Sequence, residues 1–523
     1  MRHTVLITTS GVGSRLGNLT QHTNKALVRI GNKPAISHII ESYPPKTRFV
    51  VTLGYFGNHV RDFLTLAYPN HDIKYVNVNP FEGQGSSLGY SMLSAKRLLQ
   101  CPFIYHACDT LVYEQIPPPN KNWIGVIRGD DTSQYASWTL QEGKLHFDEK
   151  GAIDVDFIHI GLIGVHDYDT FWKTLKKLRD SDPKNSSLND CQVLARMITK
   201  GAQADTLEFP SWQDIGNATA LQQARERAGK SAEVLYKVGE NIFIFEKFVI
   251  KFFSDTKIVS NRTTRGRSLK GFVPNIEGKI GNFFRYTFVP GEIYPDVVQP
   301  RDFEQFLKWA QKNFWKSPAR PMDEKKFSKL CRSFYEKKTN ARIDKFFSKN
   351  EIRDTKHTIN GQPVPSLRDL LAKVDFKKLS IGLQSQFHGD LIMDNIIRTK
   401  DGFVLVDWRE DFGGNLTIGD RYYDLAKLNH NLTINHSVIN RNLFSVEVKG
   451  KKIKCDVMRP NTLVECQDVF EDFLEKNNYD INRVRLLTAL IWLNMTPLHH
   501  HPFNLFLYYF GKLHLWQALT KRK

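Results

Sequence analysis

Two short runs of this chain carry residue types that chemistry uses. The first is Gly11-Val12-Gly13-Ser14-Arg15-Leu16, directly after the apolar run Thr4-Val5-Leu6-Ile7-Thr8. A strand feeding a glycine loop turns backbone N–H groups toward phosphate oxygens, and the glycines reach φ values that other residues resist. Arg15 adds a bidentate cation. The second run is His388-Gly389-Asp390-Leu391-Ile392-Met393-Asp394-Asn395, followed by Phe403–Val406 and then Asp407-Trp408. That spacing puts Asp390 and Asn395 in one loop and brings Asp407 in from the next hairpin. Asp390 then orients an alcohol or accepts its proton, while Asn395 and Asp407 hold Mg²⁺ against the phosphates of ATP.

The elements around each run must hold it in place. Residues 1–110 alternate: strand Val5–Thr8, helix Ala35–Ser42, strand Phe49–Thr52, helix Val60–Leu66, strand Ile73–Asn77, helix Leu88–Leu99, strand Phe103–His106. This rhythm predicts a mostly parallel α/β sheet with helices on its faces, continuing to about residue 225. The polar stretch Gln222–Ser231 marks a boundary. Beyond it, Leu235–Lys237, Ile242–Phe245, Phe248–Phe253 and Phe283–Phe288 read as strands. Helical periodicity then dominates: Phe303–Phe314, Glu324–Phe347, Leu367–Val374, Asp420–Leu428, Val464–Lys476 and Val484–Asn494. No internal repeat or low-complexity tract occurs.

With 523 residues, 41% hydrophobic and 24% charged, the chain has room for two or more domains with separate cores. No run of about 18 apolar residues occurs, so no membrane span is expected, and the apolar region Leu486–Leu515 reads as core helices. The N-terminus reads as a buried strand, not a signal peptide. Six cysteines without paired spacing fit a reducing, cytoplasmic setting. The net charge of +18 suits either basic clefts for nucleotides and phosphates or a nucleic-acid surface. Because Lys and Arg are spread along the chain without interleaved aromatics, small-molecule clefts are the expectation and nucleic acid is not. His499-His500-His501 reads as a solvated turn, since adjacent histidines do not converge on one ion.

The first half resembles the sugar-phosphate nucleotidyltransferase family over roughly residues 4–222. After the glycine loop come Asn24-Lys25-Ala26-Leu27-Val28 and Gly31-Asn32-Lys33-Pro34, then Asp109 in Tyr105-His106-Ala107-Cys108-Asp109 and Asp214 in Trp212-Gln213-Asp214-Ile215-Gly216-Asn217. The resemblance implies a GT-A/Rossmann-like domain and the attack of a phosphate monoester on the α-phosphorus of an NTP. Both reactants are anionic, so such catalysis is chiefly charge neutralisation and positioning. Asp109 and Asp214 would hold Mg²⁺, Arg15 the β,γ-phosphates, and Lys25 the region of the α-phosphate. Gly11, Gly13, Ser14, Gly85 and Ser86 would cradle the nucleotide. Two departures bear on the substrate: the family's Ala-Ala-Gly is Thr9-Ser10-Gly11, which alters base or ribose contacts, and its Asn-x-Gly sugar contact falls on His159-Ile160-Gly161.

The second half resembles the aminoglycoside phosphotransferase and choline kinase family, relatives of protein kinases, over residues 232–523, with strong motifs only in 386–428. The resemblance implies a bilobal kinase-like fold with a small lobe at about 232–292 and a large lobe at about 293–523. Lys251 would meet the α- and β-phosphates, and Val289, in Tyr286-Thr287-Phe288-Val289-Pro290-Gly291, would lie at the adenine hinge. Asp420-Arg421-Tyr422-Tyr423-Asp424-Leu425-Ala426 matches a helix that braces the catalytic loop. A glycine-rich ATP loop is missing, and Glu277 is a poor partner for Lys251. His388 is expected to brace its loop. Tyr335, Lys338, Thr339 and Arg342 share a helix face that either touches substrate phosphate or is simply solvated.

The expectation is therefore α/β plus α+β: a nucleotidyltransferase domain at 1–225 and a kinase-like domain at 232–523. Together they would phosphorylate a sugar or an amino alcohol with ATP and couple the product to a second NTP, releasing pyrophosphate. Mg²⁺ serves both steps, and surface polysaccharide synthesis is the pathway that the resemblance suggests. Choline or ethanolamine with CTP stays open as the alternative, with Trp408-Arg409-Glu410-Asp411-Phe412 as either a quaternary-ammonium lining or hairpin packing. So do a regulatory pseudokinase half, a basic nucleic-acid-associated protein, and assembly as a homo-oligomer.

Overall fold

A computed structural model describes residues 3–129, 132–229 and 237–520. The chain forms two compact units: Met1–Val259 with Glu277–Tyr286, and Ser260–Ile276 with Thr287–Lys523.

The first unit is built on a nine-stranded sheet. Thr4–Thr8 lies between Arg48–Leu53 and Phe103–Ala107 and is parallel to both, and Asp72–Asn77 extends the parallel set beyond Arg48–Leu53. Thr4–Thr8 and Phe103–Ala107 are buried at every position, which is why neither alternates apolar with exposed polar residues. The sheet is mixed, however, because Phe157–Val165 joins Phe103–Ala107 antiparallel. Ser137–Gln141 and Lys144–Asp148 then extend it as an antiparallel pair. The helices Ala35–Glu41, Gly57–Ala67 and Leu88–Ala95 fall where the periodicity puts them.

Two crossovers carry the chain to one side of Thr4–Thr8, and the third returns it to the other side at Phe103–Ala107. Strand order therefore reverses between these two strands, and their C-terminal loops lie next to each other. Those loops are Thr9–Leu16 and Cys108–Asp109.

The expected boundary at 225–232 is not where the packing divides. Glu240–Ile244, Phe248–Phe253, Phe283–Thr287 and Ile276–Ile280 form a four-stranded sheet. Its residues Phe243, Phe245, Ile250, Phe252 and Phe283 are buried in the same core as Val60, Phe63, Leu64 and Leu66 of the helix Gly57–Ala67. Phe63 and Phe243 meet edge-on at 5.2 Å, and Arg285 donates to Leu66 O at 2.7 Å. A polar stretch in the sequence marks a connector, but apolar burial decides which core a later strand joins. The strand expected at 235–237 falls, apart from Lys237, outside the described residues.

The second unit is mainly helical, with Pro300–Trp309, Glu324–Arg332, Lys338–Asn350, Arg421–Thr433, Asn461–Lys476, Ile481–Met495 and Phe503–Thr520. The expected helix 324–347 runs on to Asn350 through a π-turn at Ser333–Lys337. The sheet formed by Gln362–Val364, His357–Ile359, Lys452–Val457 and Phe444–Lys449 was not anticipated. Core helices at 486–515 are borne out, and no helix among the described residues is long and apolar enough to cross a membrane.

Candidate functional sites

In the first unit, Gly13 takes φ +71 and caps the 3-10 turn Ser14–Thr20. A Cβ at Gly13 would come within 2.9 Å of Lys25 Cβ, so both the backbone angle and the close approach require glycine. Gly11, Ser14 and Arg15 are exposed. Asn24 caps the turn Lys25–Leu27 and donates to Thr9 O at 2.8 Å and Tyr55 O at 2.6 Å, fixing Lys25 beside the loop. Lys25 Nζ lies 2.9 Å from Asp109 Oδ2.

Asp109 lies in the turn after the strand Phe103–Ala107, and the next two residues pair with Gln213–Asp214, setting Asp214 opposite Thr110. Ile215 N donates to Asp109 O at 3.0 Å, which binds the two acidic segments together. Asp214 accepts from Tyr135 Oη at 2.9 Å, Gly216 N at 2.9 Å and Asn217 Nδ2 at 3.2 Å. Gly216 marks the focus of the site. A Cβ there would lie 3.1 Å from Asp214 Oδ1, 3.2 Å from Asp109 Oδ2 and 3.4 Å from Arg15 Nη2. Two carboxylates and a guanidinium thus surround one small space that a glycine leaves clear.

The electrostatics divide the pair. Burial pushes Asp109 up, but Lys25 and Arg15 more than offset it, holding its carboxyl below the ordinary range. Asp214 is raised, first by burial and then by the charge of Asp109. A second cation between them would relieve that repulsion, and hard oxygen donors around a cleared space fit a divalent ion such as Mg²⁺.

Gly83 and Gly85 both have positive φ, and Ser87 caps the helix Leu88–Ala95. Ser91 on that helix bonds Ser10 at 2.8 Å, which joins the Gly85-Ser86 segment to the glycine loop. Thr9 Oγ1 donates to Thr52 O at 2.6 Å. The side chains of Thr9 and Ser10 are thus both buried in internal hydrogen bonds. His159 is likewise buried, 2.9 Å from Asp190, while Gly161 packs against Ala107 just ahead of Asp109.

In the second unit, the loop containing Asp390 is held from several sides. His388 is fully buried, with its Nε2 donating to Val406 O at 2.9 Å and its Nδ1 accepting from Asp390 N at 3.3 Å. Burial lowers its pKa to about 4, and the ring braces the loop through these two bonds. Asp424 accepts from His388 N at 2.8 Å, Gly389 N at 2.7 Å and Trp315 Nε1 at 3.2 Å. Asn395 Nδ2 donates to Asp390 O at 2.9 Å, and Val406 N donates to Asn395 O at 2.8 Å. Those bonds bring Asp390, Asn395 and the residue before Asp407 together. Asp407 itself stands at φ +61.

Several partners were not anticipated. Lys427 Nζ lies 2.6 Å from Asp390 Oδ1 and is three residues beyond Asp424, so one helix face both braces the loop and neutralises its acid. Arg262 Nη1 meets Asp407 Oδ1 at 2.7 Å. Arg265, one turn on, is buried beneath the loop and donates to Phe387 O and Leu416 O. Spacing of i, i+3 within the basic cluster from residue 262 was the available signal. In the first unit Tyr135, Asn217 and the cleared position at Gly216 were also missed.

Lys251 is buried on the strand Phe248–Phe253, in the first unit, and Val289 lies in a half-buried segment of the second. Glu277 pairs with Arg285 at 2.6 Å. Trp408 is buried, its indole donating to Arg262 O at 2.8 Å, and Phe412 is fully buried against Phe334. Of the two readings of that segment, hairpin packing fits these contacts. His500 and His501 are exposed, and the histidine run is not among the metal-capable groups of the described residues.

No family model matches this chain, and no curated protein matches it. Among solved structures, the N-terminal half is similar to a Bacillus anthracis protein assigned as a glucose-1-phosphate thymidylyltransferase. That match has 18% identity and a TM-score of 0.38, covering 45% of this chain and 98% of the other. It is also similar to the CTP:phosphocholine cytidylyltransferase of Streptococcus pneumoniae, at 19% identity and TM-score 0.37, covering 43% and 99%. The inositol-1-phosphate CTP transferase of T. maritima matches at 14% and 0.35, covering 45% and 98%.

Proposed function

We propose that the chain is a bifunctional enzyme that phosphorylates a small hydroxylated metabolite and then couples the phosphate to a nucleotide. The observation that carries the second reaction is the convergence of Asp109, Asp214 and Arg15 on the space beside Gly216. In that reaction an oxygen of the acceptor phosphate attacks the α-phosphorus of an NTP. The bond to the β-phosphate breaks and pyrophosphate leaves. Loop N–H groups and Arg15 bind the departing phosphates, and Lys25, held at the loop by Asn24, screens the anionic nucleophile. A divalent ion on Asp109 and Asp214 would supply further neutralisation of charge on the phosphates.

The first reaction belongs to the loop of Asp390. Asp390 orients the acceptor hydroxyl and takes its proton, Lys427 compensates the carboxylate, and Asn395 and Asp407 would hold the ion that accompanies ATP. Lys251 and Val289 are proposed as ATP contacts on the family resemblance. One chain carrying both activities raises the local concentration of the intermediate. The product is an activated building block, a sugar nucleotide in the reading we favour, of the kind used in surface polysaccharides.

The test uses the full chain with ATP, each of the other NTPs, Mg²⁺ and panels of free and phosphorylated acceptors. Pyrophosphate release from a phosphorylated acceptor without ATP, and from its free form only with ATP, is the expected pattern. Absence of pyrophosphate release from every pairing refutes the nucleotidyl-transfer step.

A further inference from the structure

Four mutually coupled cations, Lys338, Arg342, Arg409 and Lys427, include the ion-pair partner of Asp390. Lys427 is paired with it. Lys338 Nζ and the guanidinium of Arg409 both stand over the ring of Phe334, at 4.3 and 5.3 Å from its centroid, and Lys338 is 5.8 Å from that of Tyr423. Arg342, one helical turn beyond Lys338, donates among the described residues to Asn494 O, at 3.4 Å. The charge of Lys338 is opposed by those of Arg409, Arg342 and Lys427 and only partly offset by Glu410, while Arg409 is favoured by Glu410, Asp390 and Asp411. Counter-charge is short. Asp390 is engaged by Lys427, and Glu410 is shared between Arg409 at 3.6 Å and Arg262 at 3.7 Å. Among the described residues no carboxylate lies within ion-pair distance of Lys338 or Arg342.

Such a cluster is costly. Burial, with three like charges, holds the Lys338 ammonium well below its ordinary range. A partly dehydrated cation outnumbered by like charges opposes folding, so its role lies in what it binds. A cationic acceptor would be repelled there, and a neutral one would leave the charge unanswered.

We infer that the acceptor phosphorylated at Asp390 is itself an anion, a small hydroxylated compound whose phosphate or carboxylate group sits on Lys338, Arg342 and Arg409. Its hydroxyl faces Asp390. The hydroxyl oxygen bonds to the γ-phosphorus of ATP, the bond to the β,γ-bridging oxygen breaks, ADP departs with that electron pair, and the hydroxyl proton passes to Asp390. This rests on the kinase reading of the second unit. It argues against choline and ethanolamine and names a specificity set of three basic residues.

The experiment has two arms on the full chain. In the first, ATP and Mg²⁺ are supplied with glycerol 3-phosphate, glycerate, glucose or choline. An anionic acceptor should give a kcat/KM at least about tenfold above glucose and choline, the scale of one lost charge contact. Comparing phosphate with carboxylate identifies the anion. Lys338→Met should raise KM for that acceptor more than it lowers kcat, and should raise the melting temperature, because a cation outnumbered by like charges is removed. Lys345→Met, on the exposed side of the same helix, should change neither. In the second arm, millimolar orthophosphate should stabilise the wild type more than Lys338→Met. Equal or better turnover of choline or glucose overturns the inference, as does equal stabilisation of both proteins by orthophosphate. A lower melting temperature with unchanged KM makes Lys338 structural and also overturns it. Unequal stabilisation, with no acceptor phosphorylated, overturns the kinase step but supports the anion seat.

Discussion

Gly216→Ala isolates the space on which the first site depends. The added methyl would lie 3.1 Å from Asp214 Oδ1, 3.2 Å from Asp109 Oδ2 and 3.4 Å from Arg15 Nη2. All three are side-chain tips, which yield the few tenths of an ångström required. The φ of Gly216 is outside the left-handed region, so alanine brings no backbone strain there. The fold should change stability by no more than about 1 kcal/mol, the usual span for Gly-to-Ala at a compatible position. The site should respond very differently. The methyl takes room between the carboxylates that an ion and its waters need, and it splays the groups meant to neutralise the phosphates. Loss of one such preorganised contact costs about 2.7–4 kcal/mol, or roughly 10²–10³ in kcat. Pyrophosphate release with whichever NTP and acceptor turn over measures the loss. Calorimetric titration of Mg²⁺ with that NTP reports weakened binding independently, and circular dichroism monitors the fold. Pyrophosphate release at the wild-type rate, with ion dependence unaltered, would falsify the assignment of this space.

Asp109→Asn should abolish pyrophosphate release and leave acceptor phosphorylation intact, while Asp390→Asn should do the reverse, each by at least about 10²-fold. Either substitution removing both activities in a folded protein would sink the separate-site reading. Asp424→Ala strands the N–H groups of His388 and Gly389 and the Trp315 indole. At about 1–3 kcal/mol for an unsatisfied buried donor, amide exchange at His388 and Gly389 should accelerate by at least about tenfold, and unchanged protection would disprove the bracing role. Lys512 is fully buried, and desolvation, only partly opposed by Asp354, lowers its pKa to about 8 from an ordinary 10.5. Below that window both folded and unfolded chains carry the proton. Within it the unfolded chain binds more, so Lys512 makes stability rise with pH between about 8 and 10.5. Melting curves of wild type minus Lys512→Met should show that rise, and a flat difference would contradict it.

Much of both sites was legible because their chemistry is local. The glycine loop announces itself by a buried strand running into Gly11-Val12-Gly13, and the structure adds only why Gly13 cannot be another residue. The Asp390 loop declares its spacing, and the bracing histidine and Asp424 follow from residues already in view. Partners supplied by distant segments were not legible. Tyr135 reaches Asp214 across 79 residues, and Arg262 reaches Asp407 across 145. The strands after residue 240 read correctly as strands, yet the core they join is set by a helix at Gly57–Ala67.

What the sequence determined by itself is which groups are available and which short elements present them, because backbone propensity and apolar period act over a few residues. What tertiary structure alone decided is convergence: that Asp109, Asp214 and Arg15 face one point, and that Lys338 and Arg409 share one ring. Charge and burial act through space, where neighbours in the fold are strangers along the chain.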